Sequence, residues 1–87
     1  MYTVYIRKAI LKRSEKMPKR IQFAFKSLVN DLIEKGPLRK EWPHFSKLGK
    51  NRYHCHLGYK WAACRYHEND SVIIEVYYAG SRENAPY

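Results

Sequence analysis

The sequence of 87 residues has few acidic side chains, few cysteines and no long apolar run. Eight Asp and Glu stand against 17 Lys and Arg, so the formal net charge is +9 at pH 7. No stretch approaches the roughly 20 apolar residues of a membrane-spanning helix, and charge begins at Arg7, too early for a signal peptide. A charge of this size favours polyanionic partners. We therefore expect a cytoplasmic protein with no membrane association.

Several kinds of catalytic and metal site also lack their motifs. Cys55 and Cys64 are too few for a disulfide framework and fall in predicted strands, where free cysteine behaves as a small apolar residue. There is no Gly-rich phosphate loop and no acidic pair spaced for a two-metal nuclease. His54 and His56 with a third ligand such as His44 could bind zinc, but no CxxC or HExxH spacing supports this. We predict neither a metal nor a cofactor.

What is present is the composition of one folded domain. Hydrophobic residues make up 45% of the chain and aromatic residues 15%, which is enough to close one core. A chain of this length has room for a single domain, which we expect to span residues 1–87.

Hydrophobic periodicity predicts one strand, two helices and then three strands. Residues 2–6 alternate as a strand, residues 7–16 form a short polar helix, and a second helix begins at Pro18 and ends at Gly36. The segment 38–51 is irregular, and strands follow at 52–57, 60–66 and 71–78. Two helices covering one face of a small antiparallel sheet give an α+β domain with the order β-α-α-β-β-β.

The strand 52–57 divides its side chains between two faces, because successive residues alternate. The set that suits the core is Tyr53, Cys55 and Leu57. The set predicted to face outward is Arg52, His54 and His56. Lys60 begins the next strand, while Arg82 and Tyr87 lie just beyond the last one. Neighbouring strands are about 5 Å apart, so these side chains could border one cleft.

Such a cleft has the groups that metal-independent RNA scission needs. A histidine that titrates near neutrality can act as base or acid, and Arg and Lys can stabilise charge on the phosphate. A tyrosine can stack on a base or orient the 2′-OH. Further basic residues are candidates for RNA contacts: Lys47, Lys50, Arg52 and Arg65. Each group also has a plainer interpretation as a solvated side chain or a structural pairing.

Two stretches of the C-terminal half carry a family resemblance. They are Tyr53-His54-Cys55-His56-Leu57-Gly58-Tyr59-Lys60 and Ile73-Ile74-Glu75-Val76-Tyr77-Tyr78-Ala79-Gly80-Ser81-Arg82 with Tyr87 after it. The first resembles the strand–turn–strand, with outward basic residues, of the RelE/ParE superfamily of bacterial toxins from type II toxin–antitoxin pairs. The second is similar to the family's last strand and closing Gly-x-Arg/His…Tyr element. The strand–helix–helix beginning is similar in layout.

The resemblance implies a RelE-like microbial ribonuclease fold and an endoribonuclease that cleaves mRNA, in many members on the translating ribosome. It also implies a cognate antitoxin that neutralises the enzyme. By position, the family's two outward basic residues fall on His54 and His56, and its arginine after the hairpin falls on Lys60. Its late Arg or His falls on Arg82 and its final tyrosine on Tyr87. Lys60 keeps the charge of the family's arginine and lacks its bidentate fork.

Three functions stay open at this point. The first is a metal-independent mRNA endonuclease with His54 or His56 as the base. The others are a ParE-like protein that inhibits DNA gyrase by binding and a non-catalytic RNA-binding module. The histidine pair and the Arg82…Tyr87 element favour the nuclease, because an inhibitor that acts by binding does not require them.

Overall fold

The structure, a computed structural model, describes residues 1–86. Its elements are β1 (Thr3–Ile6), α1 (Lys8–Ser14), α2 (Lys19–Lys35), β2 (Ser46–Gly49), β3 (Arg52–Gly58), β4 (Trp61–His67), β5 (Ile73–Ser81) and a final 3₁₀ turn (Arg82–Asn84). The strands of these residues form one sheet in the order β1-β5-β4-β3-β2. Both helices pack against this sheet, α1 on β5 and α2 on β3 and β1. The predicted α+β class is confirmed.

The sheet differs from the prediction in two respects. β1 pairs with β5 in parallel, from Thr3 opposite Ile73 onward, so the sheet is mixed and the prediction of an antiparallel sheet is wrong there. The two helices and strands β2, β3 and β4 lie between them in the chain, and this long connection lets β5 run in the same direction as β1. In addition, β2 lies in the segment predicted to be irregular and pairs with β3. Its four residues are too few to show a clear alternation.

The second helix forms where the sequence predicts it. Pro18 precedes its first turn, where a missing N–H costs no hydrogen bond. It ends at Gly36, which has a φ of 94°. A Cβ atom at Gly36 would lie 2.8 Å from Cε1 of Tyr2, so both the backbone conformation and the space favour glycine here. No helix in residues 1–86 is long and apolar enough to cross a membrane.

The hydrophobic core lies between the helices and the inner face of the sheet. The helices contribute Ile10, Ile21, Phe25, Leu28 and Leu32, and the connection between them contributes Met17. The sheet contributes Cys55, Leu57, Ala63, Ile74, Val76 and Ala79. Cys55 and Leu57 are buried as the alternation predicts. The opposite face of β3 therefore carries His54 and His56, away from the helices.

A buried arginine anchors the segment that joins α2 to β2. Arg65 is 1% exposed, and its Nε and Nη2 atoms donate to the carbonyl oxygen of Pro37 at 3.0 and 2.7 Å. The rings of Phe45 and Tyr53 have their centroids 5.5 and 5.9 Å from its guanidinium carbon. The prediction that Arg65 contacts RNA is wrong, because the side chain is buried. It is in register with Tyr53 on the inner face, where Pro37 and Phe45 of the segment 36–45 lie against it.

Replacing this arginine tests its structural role. We expect Arg65→Ala to lower the free energy of unfolding by about 2–4 kcal/mol, because it leaves a buried carbonyl unsatisfied and opens a cavity. The exposed Arg20→Ala variant on α2 carries the same change of charge and should stay within about 0.5 kcal/mol of the wild type. Urea denaturation monitored by circular dichroism measures both. Equal stabilities of the two variants would contradict this role of Arg65.

Candidate active site

Two histidines occupy the middle of the outer sheet face. β3 carries His54 and His56, whose ring centroids lie 5.7 Å apart. They are 7% and 8% exposed. Both histidines lie on the sheet face opposite the core, as the alternation predicts. The expectation that they are exposed on that face is wrong. The cover comes from the segment around β2, which the sequence predicts to be irregular.

That cover is made by residues from two sides of the segment. The ring of His44 stacks on the ring of His56 with centroids 4.2 Å apart. The backbone N–H of His56 donates to the carbonyl oxygen of Pro43 at 2.8 Å. The hydroxyl of Ser46 and Nδ1 of His54 share a hydrogen bond of 2.7 Å. His44 has a φ of 53°, in the left-handed region that few residues with side chains adopt. A backbone held in this way is common at functional sites.

The sequence pattern does not predict that His44 lies beside the histidine pair. It indicates His44 only as a candidate third zinc ligand with His54 and His56. In the structure the three rings form a stacked and edge-on cluster. Within residues 1–86, no three His, Cys, Asp or Glu side chains stand where they could hold a metal ion. Since the segment 38–51 has no clear periodicity, only the long-range pairing of β2 with β3 reveals where His44 lies.

Two of the predicted cationic residues lie at the end of the sheet next to this cluster. Nη1 of Arg82 donates to the carbonyl oxygen of Tyr59 at 2.9 Å. The backbone N–H of Arg82 donates to the carbonyl oxygen of Lys60 at 2.8 Å. These contacts tie the turn after β5 to the β3–β4 hairpin. Lys60 and Arg82 are exposed and line one cavity of about 460 Å³. The charge of Arg82 acts on both His54 and His56.

The remaining predicted residues are spread more widely. Lys47 is exposed on β2 but is in register with Tyr53, on the opposite face from the histidines. Lys50 is exposed in the turn before β3, and Arg52 is exposed at the start of that strand. Tyr87 lies outside the described residues. Binding of RNA by Lys47, Lys50 and Arg52 stays a prediction.

The environment of the histidine pair favours neutral imidazole. Burial lowers the pKa of His54 against a hydrogen bond to the backbone of Ser46 that raises it, and the positive charge of Arg65 lowers it further. Burial also lowers the pKa of His56, with Arg82 as the next cause. Both pKa values therefore lie below the ordinary histidine value of 6.5. Neutral rings at pH 7 can accept a proton, as a general base must.

The two cysteines have the opposite character. Burial raises the pKa of the Cys64 thiol to about 11, and burial raises the pKa of Cys55 as well. Both side chains are 0% exposed. Because the thiolate is the nucleophilic form, these side chains act as small apolar residues. The chemistry of this face therefore rests on imidazole and guanidinium groups.

Solved structures with this arrangement of elements are known. A chain of the archaeal RelE–RelB complex from Pyrococcus horikoshii OT3 is 18% identical to this one and superposes with a TM-score of 0.75, covering 97% of this chain and 98% of that chain. The isolated RelE toxin of E. coli is 16% identical, with a TM-score of 0.75 and coverages of 99% and 89%. YafQ from E. coli BL21(DE3) is 15% identical, with a TM-score of 0.74 and coverages of 95% and 96%.

These likenesses establish the fold. Neither a protein-family model nor a curated protein sequence matches the chain, so the similarity lies in the three-dimensional arrangement. It extends over nearly the whole of this chain and most of each structure compared. The chain has the RelE toxin fold, and the predicted RelE-like fold is confirmed.

The low pKa values of the histidine pair predict how stability depends on pH. The unfolded chain binds protons at His54 and His56 at a higher pH than the folded chain does, so stability falls as the pH is lowered below about 6.5. Above that value, these two groups contribute a constant amount. Urea denaturation at pH 7.5 and 5.5 measures the difference. We expect a smaller difference in the His54→Gln, His56→Gln double variant, which keeps His44 and His67. An equal or greater loss of stability in that variant would count against this assignment.

Proposed function

We propose that this protein is the toxin of a type II toxin–antitoxin pair and that it cleaves mRNA as a metal-independent endoribonuclease. The observation that carries the proposal is the buried, neutral pair His54 and His56 beside the Arg82 guanidinium. The RelE toxin fold, and the resemblance in sequence to the RelE/ParE superfamily, support the same function. A fold by itself does not determine chemistry, so the proposal is argued from the residues of the site.

In this mechanism, His54 or His56 accepts the proton of the ribose 2′-OH. The 2′ oxygen then forms a bond to phosphorus, and the bond from phosphorus to the 5′ oxygen breaks. Arg82 and Lys60 offset the extra negative charge that the phosphorane carries. The leaving 5′ oxygen takes a proton from the cluster, for which His44 is our candidate because it is the most exposed of the three rings. The products are a 2′,3′-cyclic phosphate and a 5′-OH.

Tyr87 completes the proposed catalytic set. The resemblance assigns the family's final tyrosine to this position, and a tyrosine there can stack on a base or orient the 2′-OH. It lies outside the described residues, so its part in the mechanism rests on the sequence alone.

The proposal also names partners and a place of action. The RelE of Pyrococcus horikoshii occurs in a complex with RelB, and the YoeB of Staphylococcus aureus occurs in a complex with YefM. We propose that a cognate antitoxin likewise binds this chain. An acidic segment would suit its net charge of +9. The substrate is mRNA on the translating ribosome, in the cytoplasm.

Inhibition of DNA gyrase, as by a ParE-like protein, is not favoured. The solved structures described above are RelE and YafQ proteins. A gyrase inhibitor that acts by binding also has no need for two neutral histidines beside an arginine. Inhibited supercoiling with mRNA left intact would reverse this ranking.

The cleavage reaction is tested on mRNA with and without translating ribosomes. We expect products with 2′,3′-cyclic or 3′-phosphate ends and an unchanged rate in EDTA. The His54→Ala, His56→Ala double variant should lower the rate by roughly 100- to 10,000-fold, because it removes the general base. Arg82→Ala should lower it by roughly 100-fold. Primer extension locates the cut, and gel electrophoresis of labelled RNA measures the rate.

A matched control separates chemistry from charge. Arg20→Ala makes the same change of charge as Arg82→Ala on an exposed position of α2, and it should keep nearly the full rate. Full cleavage by a His54→Ala, His56→Ala, Arg82→Ala triple variant would overturn the proposed mechanism.

A further inference from the structure

A group of aromatic and charged side chains lies on the outer sheet face beyond the histidines. Arg52, Tyr66 and Glu75 are in register across β3, β4 and β5, and Tyr77 lies beside them. The guanidinium carbon of Arg52 lies 6.0 Å from the ring centroid of Tyr66 and 5.7 Å from that of Tyr77. One positive charge is thus held over the faces of two aromatic rings. We call Arg52, Tyr66 and Tyr77 the tyrosine patch.

The tyrosine patch is open to a ligand and carries net positive charge. A cavity of about 280 Å³ is lined by Arg52, Tyr66 and Tyr77 together with Arg7 and Glu75. Glu75 forms an ion pair with Arg7, so its carboxylate does not neutralise Arg52. Arg52 itself is exposed, and both tyrosines are half-buried. The rings are therefore partly packed into the sheet surface, while the guanidinium is accessible to a ligand.

The tyrosine patch is continuous with the candidate active site. Arg52 and His54 are two residues apart on one face of β3, a distance of about 6.6–6.8 Å along a strand. Tyr77 hydrogen-bonds to Cys64, and Cys64 is in register with His54. This separation is comparable with that of neighbouring nucleotides in an extended single strand. A chain bound at the histidines would therefore pass over the patch.

We propose that the tyrosine patch is a nucleotide-binding subsite for the residue of single-stranded RNA that adjoins the scissile phosphate. Its base stacks on the rings of Tyr66 and Tyr77, and Arg52 moves to its phosphate. The subsite rests on the proposed function in that its ligand is the RNA cleaved at the histidines. Stacking accepts any base, because every base has an aromatic face. An acidic peptide could pair with Arg52 but would gain little from two ring faces.

The subsite is tested with RNA that the protein cannot cleave. A 2′-O-methyl hexanucleotide of 2-aminopurine loses fluorescence when its bases stack on aromatic side chains, so titration gives both the stacking signal and Kd. We expect Tyr66→Leu, Tyr77→Leu to weaken binding by roughly 5- to 150-fold and to reduce the quenching. The Tyr66→Phe, Tyr77→Phe variant keeps the rings and should bind within about twofold of the wild type.

Two controls distinguish a local effect from a general one. Phe23→Leu removes an aromatic ring that is 70% exposed on α2, and it should leave Kd unchanged. Circular dichroism confirms that each variant is folded. A Leu double variant with unchanged Kd and quenching would overturn the subsite. So would a variant that loses affinity for polyglutamate and keeps its affinity for RNA.

The experiment that refutes the subsite differs in its result from the one that refutes the proposed function. The next test uses a cleavable RNA with one mapped site and an abasic nucleotide next to the scissile phosphate. The abasic nucleotide should lower kcat/KM of the wild type by about the factor by which the Leu substitutions weaken binding. It should have no further effect on the Leu double variant. An equal abasic penalty in both proteins would place the subsite elsewhere while cleavage persists. Absence of cleavage, with normal quenching by the tyrosine patch, would refute the nuclease and leave an RNA-binding surface.

Discussion

The contact between the Arg65 guanidinium and the Pro37 carbonyl determines the geometry of the candidate active site. Arg65 is buried on the inner face of β4 and donates two hydrogen bonds to Pro37, at the start of the segment that leads from α2 to β2. Anchored there, the segment folds back over the sheet, and Phe45 packs near the same guanidinium. The segment then places His44 on His56 and β2 beside β3.

This anchoring has an electrostatic consequence. The cover it creates takes His54 and His56 out of water, and the charges of Arg65 and Arg82 also disfavour a second positive charge nearby. Burial and neighbouring cations both lower the pKa of an imidazole. A protein of net charge +9 therefore keeps two uncharged proton acceptors within a strongly cationic surface. The cations attract a polyanion, and the neutral rings can act on it.

The alternation along β3 and the signals of helix ends were sufficient to predict much of the fold. Cys55 and Leu57 in the core, with Pro18 and Gly36 at the ends of α2, follow from local patterns. The parallel pairing of β1, the strand β2 and the burial of the histidines could not be predicted, because each depends on contacts between segments distant in sequence. The prediction for Arg65 was wrong for a related reason, because a charged residue is expected at the surface. Its burial depends on the Pro37 carbonyl and on the rings of Phe45 and Tyr53, which only the folded chain brings to it.

The pH dependence of single-turnover RNA cleavage tests the central claim, that the buried histidine pair supplies the general base. A base with a lowered pKa is already deprotonated near neutrality. The rate should therefore rise with pH through an apparent pKa below 6.5 and show no further rise above it. A rate that climbs steadily between about pH 7 and pH 9 would mean that a group with a much higher pKa removes the proton, and it would contradict the account.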